Sequence, residues 1–244
     1  MKKILLLLLT AWPVFAMASS AEVHLDKANI NLEDKASLQR GAKFFVNYCL
    51  SCHSAKYMRY NRLMQDLGLT EEQVKKYLMF TAEKVGETME VAMAPDMAER
   101  WFGVAPPDLS VIARARGVDW LYTYLRSFYL DPSRPFGVNN LVFKDVAMPD
   151  VLWELQGWQR PKYETVTHEG HEEKVIVGLE PDGTGKMNPE AFDRAMRDLV
   201  AYLAYMGEPA KLERQRIGVW VLLYLAIFWI IAYALKKEYW KDVH

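Results

Sequence analysis

Apolar and polar positions alternate along this chain with two different periods. Ser37–Cys49 carries Leu38, Ala42, Phe45 and Val46 on one face at helical spacing, which predicts a helix. Thr70-Glu71-Glu72-Gln73 is a capping-box pattern that opens a second helix over 71–82. Pro106-Pro107-Asp108 halts the chain, and a third helix is expected from Asp108 or Leu109. Asp119–Tyr129 reads as a fourth. Asp131–Val146, rich in Pro, Gly and Asn, reads as a loop. The period then changes. Thr165–Thr167 and Val175–Val177 are β-branched stretches flanking a polar Glu169-Gly170 turn, the pattern of a hairpin. Asn188-Pro189 opens a strong helix, with Asn as cap and Pro in the first turn. Phe192, Met196, Leu199, Val200 and Leu203 follow it at helical spacing, up to Gly207-Glu208-Pro209. No internal repeat or low-complexity tract interrupts this order. The pattern is mainly α, with long loops and one small β-hairpin.

The two ends are apolar in a different way. Lys2 and Lys3 precede the apolar run Ile4–Leu9, which continues through Trp12, Val14 and Phe15 to Ala16-Met17-Ala18. Short positive, apolar and small-residue regions in that order make a secretory signal, residues 1–18, with cleavage as late as residue 21. Pro13 and the shortness of the run argue against a spanning helix. Ile217–Leu235 is nineteen residues without a charge. At about 1.5 Å per residue it reaches roughly 28 Å, close to the hydrocarbon thickness of a bilayer. Apolar side chains surround its whole circumference, so a buried core helix is a poor reading. Three Lys or Arg flank it on each side, so the charge count does not orient it. The signal does: the expected order is an exported domain at 19–210, a linker at 211–216, an anchor at 217–235 and a cytoplasmic tail at 236–244. The expected location is the inner membrane of a bacterium, with the domain in the periplasm.

Composition narrows the class. The 244 residues are 51% hydrophobic and 25% charged, which argues against disorder. Between residues 19 and 216 there are 25 Lys and Arg against 29 Asp and Glu. Nucleic acid is therefore not an expected partner, because no basic excess exists to neutralise phosphates. Eight Trp and thirteen Tyr suit a membrane interface or a large flat ligand. Two cysteines rule out a disulfide scaffold.

Those two cysteines lie in Cys49-Leu50-Ser51-Cys52-His53, the C-x-x-C-H attachment pattern for one covalently bound haem c. Two thiols on one helical turn reach the two vinyl groups of a porphyrin, and the adjacent imidazole is carried to the iron. A redox dithiol would call for a preceding βαβ pattern, and a zinc site for a second Cys/His pair. Neither is present. A structural disulfide would leave His53 without a role. A thioether as second axial ligand would favour the reduced iron. Twelve Met offer candidates. Met148 leads, because Met148-Pro149 closes the long loop and Pro fixes the backbone. Met93 and Met97 are rivals, and core filler is the default for any Met. His168 and His171, at the hairpin tip, read as a solvated turn. His24 and His244 are poor ligand candidates. Arg114 and Arg116 are candidates for the haem propionates.

The order of motifs resembles the cytochrome c1 family, the haem c subunits of the ubiquinol–cytochrome c reductase (bc1) complex, in bacterial form. Arg40-Gly41 through Cys49–Ser54 resembles the family's haem-binding helix, and Tyr57–Leu63 the segment after it. Ala105-Pro106-Pro107-Asp108-Leu109-Ser110 with Arg114-Ala115-Arg116 resembles its Pro-Pro-Asp-Leu-Ser block. Ala147-Met148-Pro149 occupies the place of the axial methionine, and a single C-terminal anchor completes the order. The resemblance implies a class I cytochrome c-like haem domain. In it Cys49 and Cys52 form thioethers, His53 and Met148 ligate iron, Arg116 pairs with a propionate and Pro107 packs near the ring. It also implies electron transfer from a Rieske iron–sulfur protein to a c-type cytochrome acceptor, beside cytochrome b. Trp120 stands where many members have Tyr, and no propionate contact is assigned to it. Met93-Ala94-Pro95 looks like the axial-Met context of mitochondrial members but precedes the Pro-Pro block. From the residues alone, two other readings stand: a free-standing tethered cytochrome feeding a terminal oxidase or reductase, and a peroxidase-like enzyme with an open iron site.

Overall fold

In a computed structural model, residues 23–168 and 171–242 are described. The expected signal segment, the Glu169-Gly170 turn and His244 lie outside them. The chain forms α1 (Lys35–Phe44), a π-helical turn (Phe45–Cys49), β1 (Ala55–Arg59), α2 (Tyr60–Leu67) and α3 (Glu71–Tyr77). Next come β2 (Thr88–Met89), α4 (Pro95–Phe102), α5 (Ile112–Arg116) and α6 (Val118–Arg126). Then follow β3 (Phe128–Leu130), β4 (Val138–Asn140), α7 (Trp153–Gln156) and the hairpin strands β5 (Gln159–His168) and β6 (His171–Pro181). The chain closes with α8 (Pro189–Gly207) and α9 (Lys211–Tyr239).

The centre of the fold is the packing of α1 on α8. Phe45, Met196, Leu199, Val200 and Tyr202 are fully or almost fully buried there. Each large apolar side chain removed from water contributes about 1.5–3 kcal/mol. The two helices come unusually close at Gly41, where a Cβ would land on the Asp198 carbonyl oxygen and 2.7 Å from Tyr202 Cβ. Polar contacts fix the register beside this approach. Asp198 accepts from Ser37 Oγ at 2.6 Å and from the Arg40 guanidinium at 2.6 and 3.1 Å. A bidentate pair of this kind is geometrically specific as well as attractive.

Several expected elements are present with altered bounds. Asp34 caps α1 through Ser37 N, and the helix loosens into the π turn instead of running regularly to Cys49. The Thr70/Gln73 capping box is complete, but α3 ends at Tyr77, after one buried residue, Val74. The third helix begins at Ile112, later than expected. Asp108 and Ser110 are used elsewhere, and Val111 has non-helical backbone. The 131–146 loop contains β4, paired antiparallel to β3. The hairpin is longer than its β-branched stretches suggested, pairing Gln159 with Pro181 through to His168 with His171. Its base is held by Gln159 Nε2, which donates to Arg126 O at 2.9 Å and Phe128 O at 2.8 Å. The short elements α2, α4, β1 and β2, of two to eight residues each, had no counterpart in the pattern reading.

Asn188 caps α8 by accepting from Ala191 N at 2.8 Å. After Glu208 and Pro209, α9 starts at Lys211, six residues before the uncharged stretch. It is the one described helix long and apolar enough to cross a membrane, with mean hydropathy 2.3 and no buried residue in that window.

Candidate functional site

The C-x-x-C-H segment leaves the π turn through a tight carbonyl-centred bend. Leu50 N reaches back to Phe45 O at 2.9 Å, and Leu50 is buried as the anchor. The Cys49 carbonyl then accepts both Cys52 N at 3.1 Å and His53 N at 2.8 Å. This bend gathers Cys49, Cys52 and His53 on one turn. Both thiols are free and half-buried. Burial first, and the neighbouring Cys52 second, push the Cys49 thiol up to about 12. A neutral thiol of this kind is a poor metal or redox thiolate.

His53 is oriented by the Pro-Pro block. Its Nδ1 lies 2.7 Å from the Pro107 carbonyl oxygen, which accepts only from a protonated Nδ1. Nε2 then carries the free lone pair, the arrangement expected of an iron-ligating imidazole. Burial lowers the His53 pKa, and the Pro107 carbonyl and Asp108 charge oppose that shift.

The block is zipped onto the chain just after His53. Leu109 N donates to Ser54 O at 2.8 Å. Asp108 accepts from Lys56 N at 2.9 Å and from Ser110 N at 2.8 Å. Ser110 Oγ in turn accepts from Tyr57 N at 3.1 Å. Ser54 Oγ accepts from Val91 N at 3.0 Å, which ties in the β2 segment. Each residue of Pro107-Asp108-Leu109-Ser110 therefore uses a main-chain or side-chain group to hold the His53 strand.

Met148 is held on another element. It is half-buried against Phe128, Val138 and Val146, with Leu130, Tyr124 and Trp158 beside them. Tyr124 Oη donates to Met148 Sδ at 3.4 Å. Burial, then the Asp150 charge, raise the Tyr124 pKa, so the phenol remains a donor. The loop leading to Met148 is organised by two buried amides. Asn140 Nδ2 donates to Tyr124 O at 2.8 Å, while its Oδ1 accepts from Val142 N at 2.9 Å and Phe143 N at 3.2 Å. Asn139 Oδ1 accepts from Asp145 N at 2.8 Å. By contrast Met93 is half-buried outside the core clusters, and Met97 is 36% exposed.

Arg116 and Arg114 diverge. Arg114 lies along Gly207 at the end of α8. The Arg116 guanidinium sits 5.1 Å over the Trp120 ring and 5.8 Å from Phe143. It is exposed and has no carboxylate partner among the described residues. Trp120 stacks on Tyr124 at 4.9 Å and 10°. The structure thus joins Arg116, Trp120, Tyr124 and Met148 in one row, and Pro107 with His53. Tyr124, Asn139, Asn140 and Ser54 escaped the sequence reading, since their partners are distant in sequence or lack a motif. Two free thiols and an oriented imidazole on one turn, with a thioether fixed on another element, fit the chemistry of a haem c.

Comparison with known proteins agrees. A family model described as the Cytochrome C1 family matches residues 27–157 and 181–243, stopping on either side of the hairpin. A cytochrome c1 of Allochromatium vinosum is 51% identical over 243 residues, covering 100% of this chain and 99% of that one. A Nitrosomonas europaea protein called ammonia monooxygenase gamma subunit is also 51% identical, over 100% of this chain and 99% of its own. The cytochrome c1 of Rhodospirillum rubrum is 29% identical, over 86% of this chain and 83% of its own. The chain belongs to the cytochrome c1 family, the electron-transfer subunits of the bc1 complex, which carry a covalently bound haem c.

Proposed function

We propose that this chain accepts single electrons from a Rieske iron–sulfur protein and delivers them to a c-type cytochrome, while cytochrome b anchors the assembly. Cys49 and Cys52 would hold haem c through thioethers, and His53 and Met148 would ligate its iron. Pro107 packs near the ring, and the exposed Arg116 guanidinium pairs with a propionate. Haem c, when bound, supplies an iron that changes oxidation state by one electron. The protein's own part is to orient the two ligands, exclude water and tune the potential. With His53 and Met148 both ligating the iron, electron transfer would be favoured over ligand activation.

The observation that carries this reading is the His53–Pro107 contact. It fixes the imidazole tautomer directly beside two unpaired thiols. The topology follows from the ends of the chain. Residues 1–18 direct export and are removed, 19–210 form the periplasmic domain, and 211–216 lead to the anchor at 217–235. The tail at 236–244 is cytoplasmic in a bacterial inner membrane.

The test expresses the full chain with a haem c maturation system. Membranes are run on a denaturing gel and stained for haem-linked peroxidase activity. Haem should stay on the band of the mature size and be lost in Cys52→Ala. Cytochrome b and a Rieske protein should co-purify from the native membrane. A well-expressed, exported band without haem would sink the attachment reading.

A further inference from the structure

We propose that Tyr124 is a positioning residue for the sixth iron ligand, setting both the orientation and the donor strength of the Met148 sulfur. This rests on the reading of Met148 as that ligand. Trp120 and Tyr124 lie four positions apart on α6 and share one face, and Arg116, before the Gly117 break, reaches over the Trp120 ring at 5.1 Å. The Tyr124 ring is clamped. Trp120 stacks on one side at 4.9 Å, and Phe128 meets it edge-on at 5.2 Å and 68°. A phenol so held cannot swing away from the sulfur 3.4 Å from its oxygen.

The same residue holds the loop twice. Its carbonyl accepts from Asn140 Nδ2 at 2.8 Å, and its hydroxyl donates to Met148 at the far end of the loop. A thioether sulfur has two lone pairs. With the phenol O–H on one, the other is the pair left for a metal, so the hydrogen bond selects the face from which the sulfur binds. The O–H also withdraws electron density from the sulfur. A weaker σ-donor stabilises the ferric state less, so the bond raises the reduction potential. Hydrogen bonding around a ligand is an established means of such tuning.

The test uses the haem-loaded full chain in its membrane complex and compares Tyr124→Phe, Met148→Leu and the double variant. Phenylalanine keeps the stacking and deletes only the donor. Two quantities are read: the midpoint potential, and the weak far-red absorption that reports a thioether on ferric iron. Tyr124→Phe should keep that absorption but shift it. It should favour the oxidised form by about three- to ten-fold, about 30–60 mV at 59 mV per tenfold for a one-electron couple. In the Met148→Leu background the same substitution should have no further effect.

Three results overturn the inference. If Met148→Leu abolishes the far-red absorption while Tyr124→Phe moves neither quantity, the Tyr124 role fails and the ligand assignment survives. If Tyr124→Phe only lowers the melting temperature, the bond is structural. If Met148→Leu leaves absorption and potential unchanged, the ligand assignment itself falls.

Discussion

The two proposed iron ligands are held by different kinds of structure. His53 is fixed by main chain: the Cys49 carbonyl bends its strand, and the Pro107 carbonyl orients its ring. Met148 is fixed by side chains: a phenol, two buried amides and a small satellite cluster around Phe128. The first arrangement rests directly on the α1–α8 core. The second reaches that core through α6 and through Leu152 and Leu155, which follow Met148 in the chain. A main-chain clamp tolerates most changes of side chain, whereas a side-chain clamp depends on a few individual atoms. Damage to the core should therefore affect both ligands together, and damage to the amides should affect Met148 alone.

Gly41→Ala should have the largest effect. Its methyl group has no room against the Asp198 carbonyl, so α1 and α8 must separate. Overpacking of this kind costs about 3 kcal/mol. Thermal unfolding of the haem-loaded chain should fall by several degrees, and haem loading should drop with it. A neutral outcome would show that the helices can part without cost, and the core would no longer be common to both ligands.

Asn140→Ala should come next. It removes the donor to Tyr124 O and the acceptor of the Val142 and Phe143 amides, while the Ser127 hydroxyl keeps the Tyr124 carbonyl at 3.4 Å. With each buried group left unpaired costing about 1–3 kcal/mol, a net loss of about 2–3 kcal/mol is expected. Hydrogen exchange should accelerate across 138–150 and stay unchanged across 49–57. Equal acceleration in both segments would erase the distinction between the clamps.

Asp108→Ala tests the other side and should cost less, about 1–2 kcal/mol. It deletes two hydrogen bonds at an exposed carboxylate, one to the exposed Lys56 N, which can turn to water, and one to the buried Ser110 N. The Leu109–Ser54 bond remains, so the Pro107 carbonyl stays near His53. The low-spin haem spectrum should persist. A shift to high-spin iron would show that the main-chain clamp depends on one side chain after all.

This contrast also explains what could be read in advance. The His53 side stood out because its proposed haem and iron ligands occupy five consecutive residues, and the Pro-Pro block announces itself as a break in helix. Long periodic helices such as α8 were equally plain, down to the Asn188 cap. The Met148 side gave a fainter signal: the Met148-Pro149 loop context put it ahead of Met93 and Met97, and the family resemblance pointed the same way. Tyr124 and Met148 are 24 residues apart, and nothing about a tyrosine on a helix says which sulfur it will meet. Asn139 and Asn140 looked like loop composition, because an amide buried for hydrogen bonding has the same sequence signature as one exposed in a turn. The late start of the third helix has a similar cause: Asp108 and Ser110 bind the strand after His53 rather than opening a helix.

The smallest expected effect concerns how α6, which carries Trp120 and Tyr124, is tied to the N-terminal segment. Asp119 in its first turn accepts from Lys27 Nζ at 2.8 Å and Ala28 N at 2.9 Å. The Lys27 bond, then the Ala28 amide, hold the Asp119 carboxyl below its ordinary value of 3.8. A depressed carboxylate stabilises the fold above its unfolded pKa, and that contribution disappears as pH falls through the folded value. Lys27 is 76% exposed, so solvent screens the pair and the gain is well under about 1 kcal/mol. Asp119→Asn keeps an acceptor for Ala28 and loses the charge. Its melting temperature should sit slightly below that of the parent at pH 7 and low salt. The gap should close as pH falls through the folded value, below 3.8, where the parent's carboxylate also becomes neutral, and at high ionic strength. A gap that survives acid and salt would mean that packing, not charge, ties α6 down. The Met148 side would then rest on the N-terminal segment as firmly as the His53 side rests on α1.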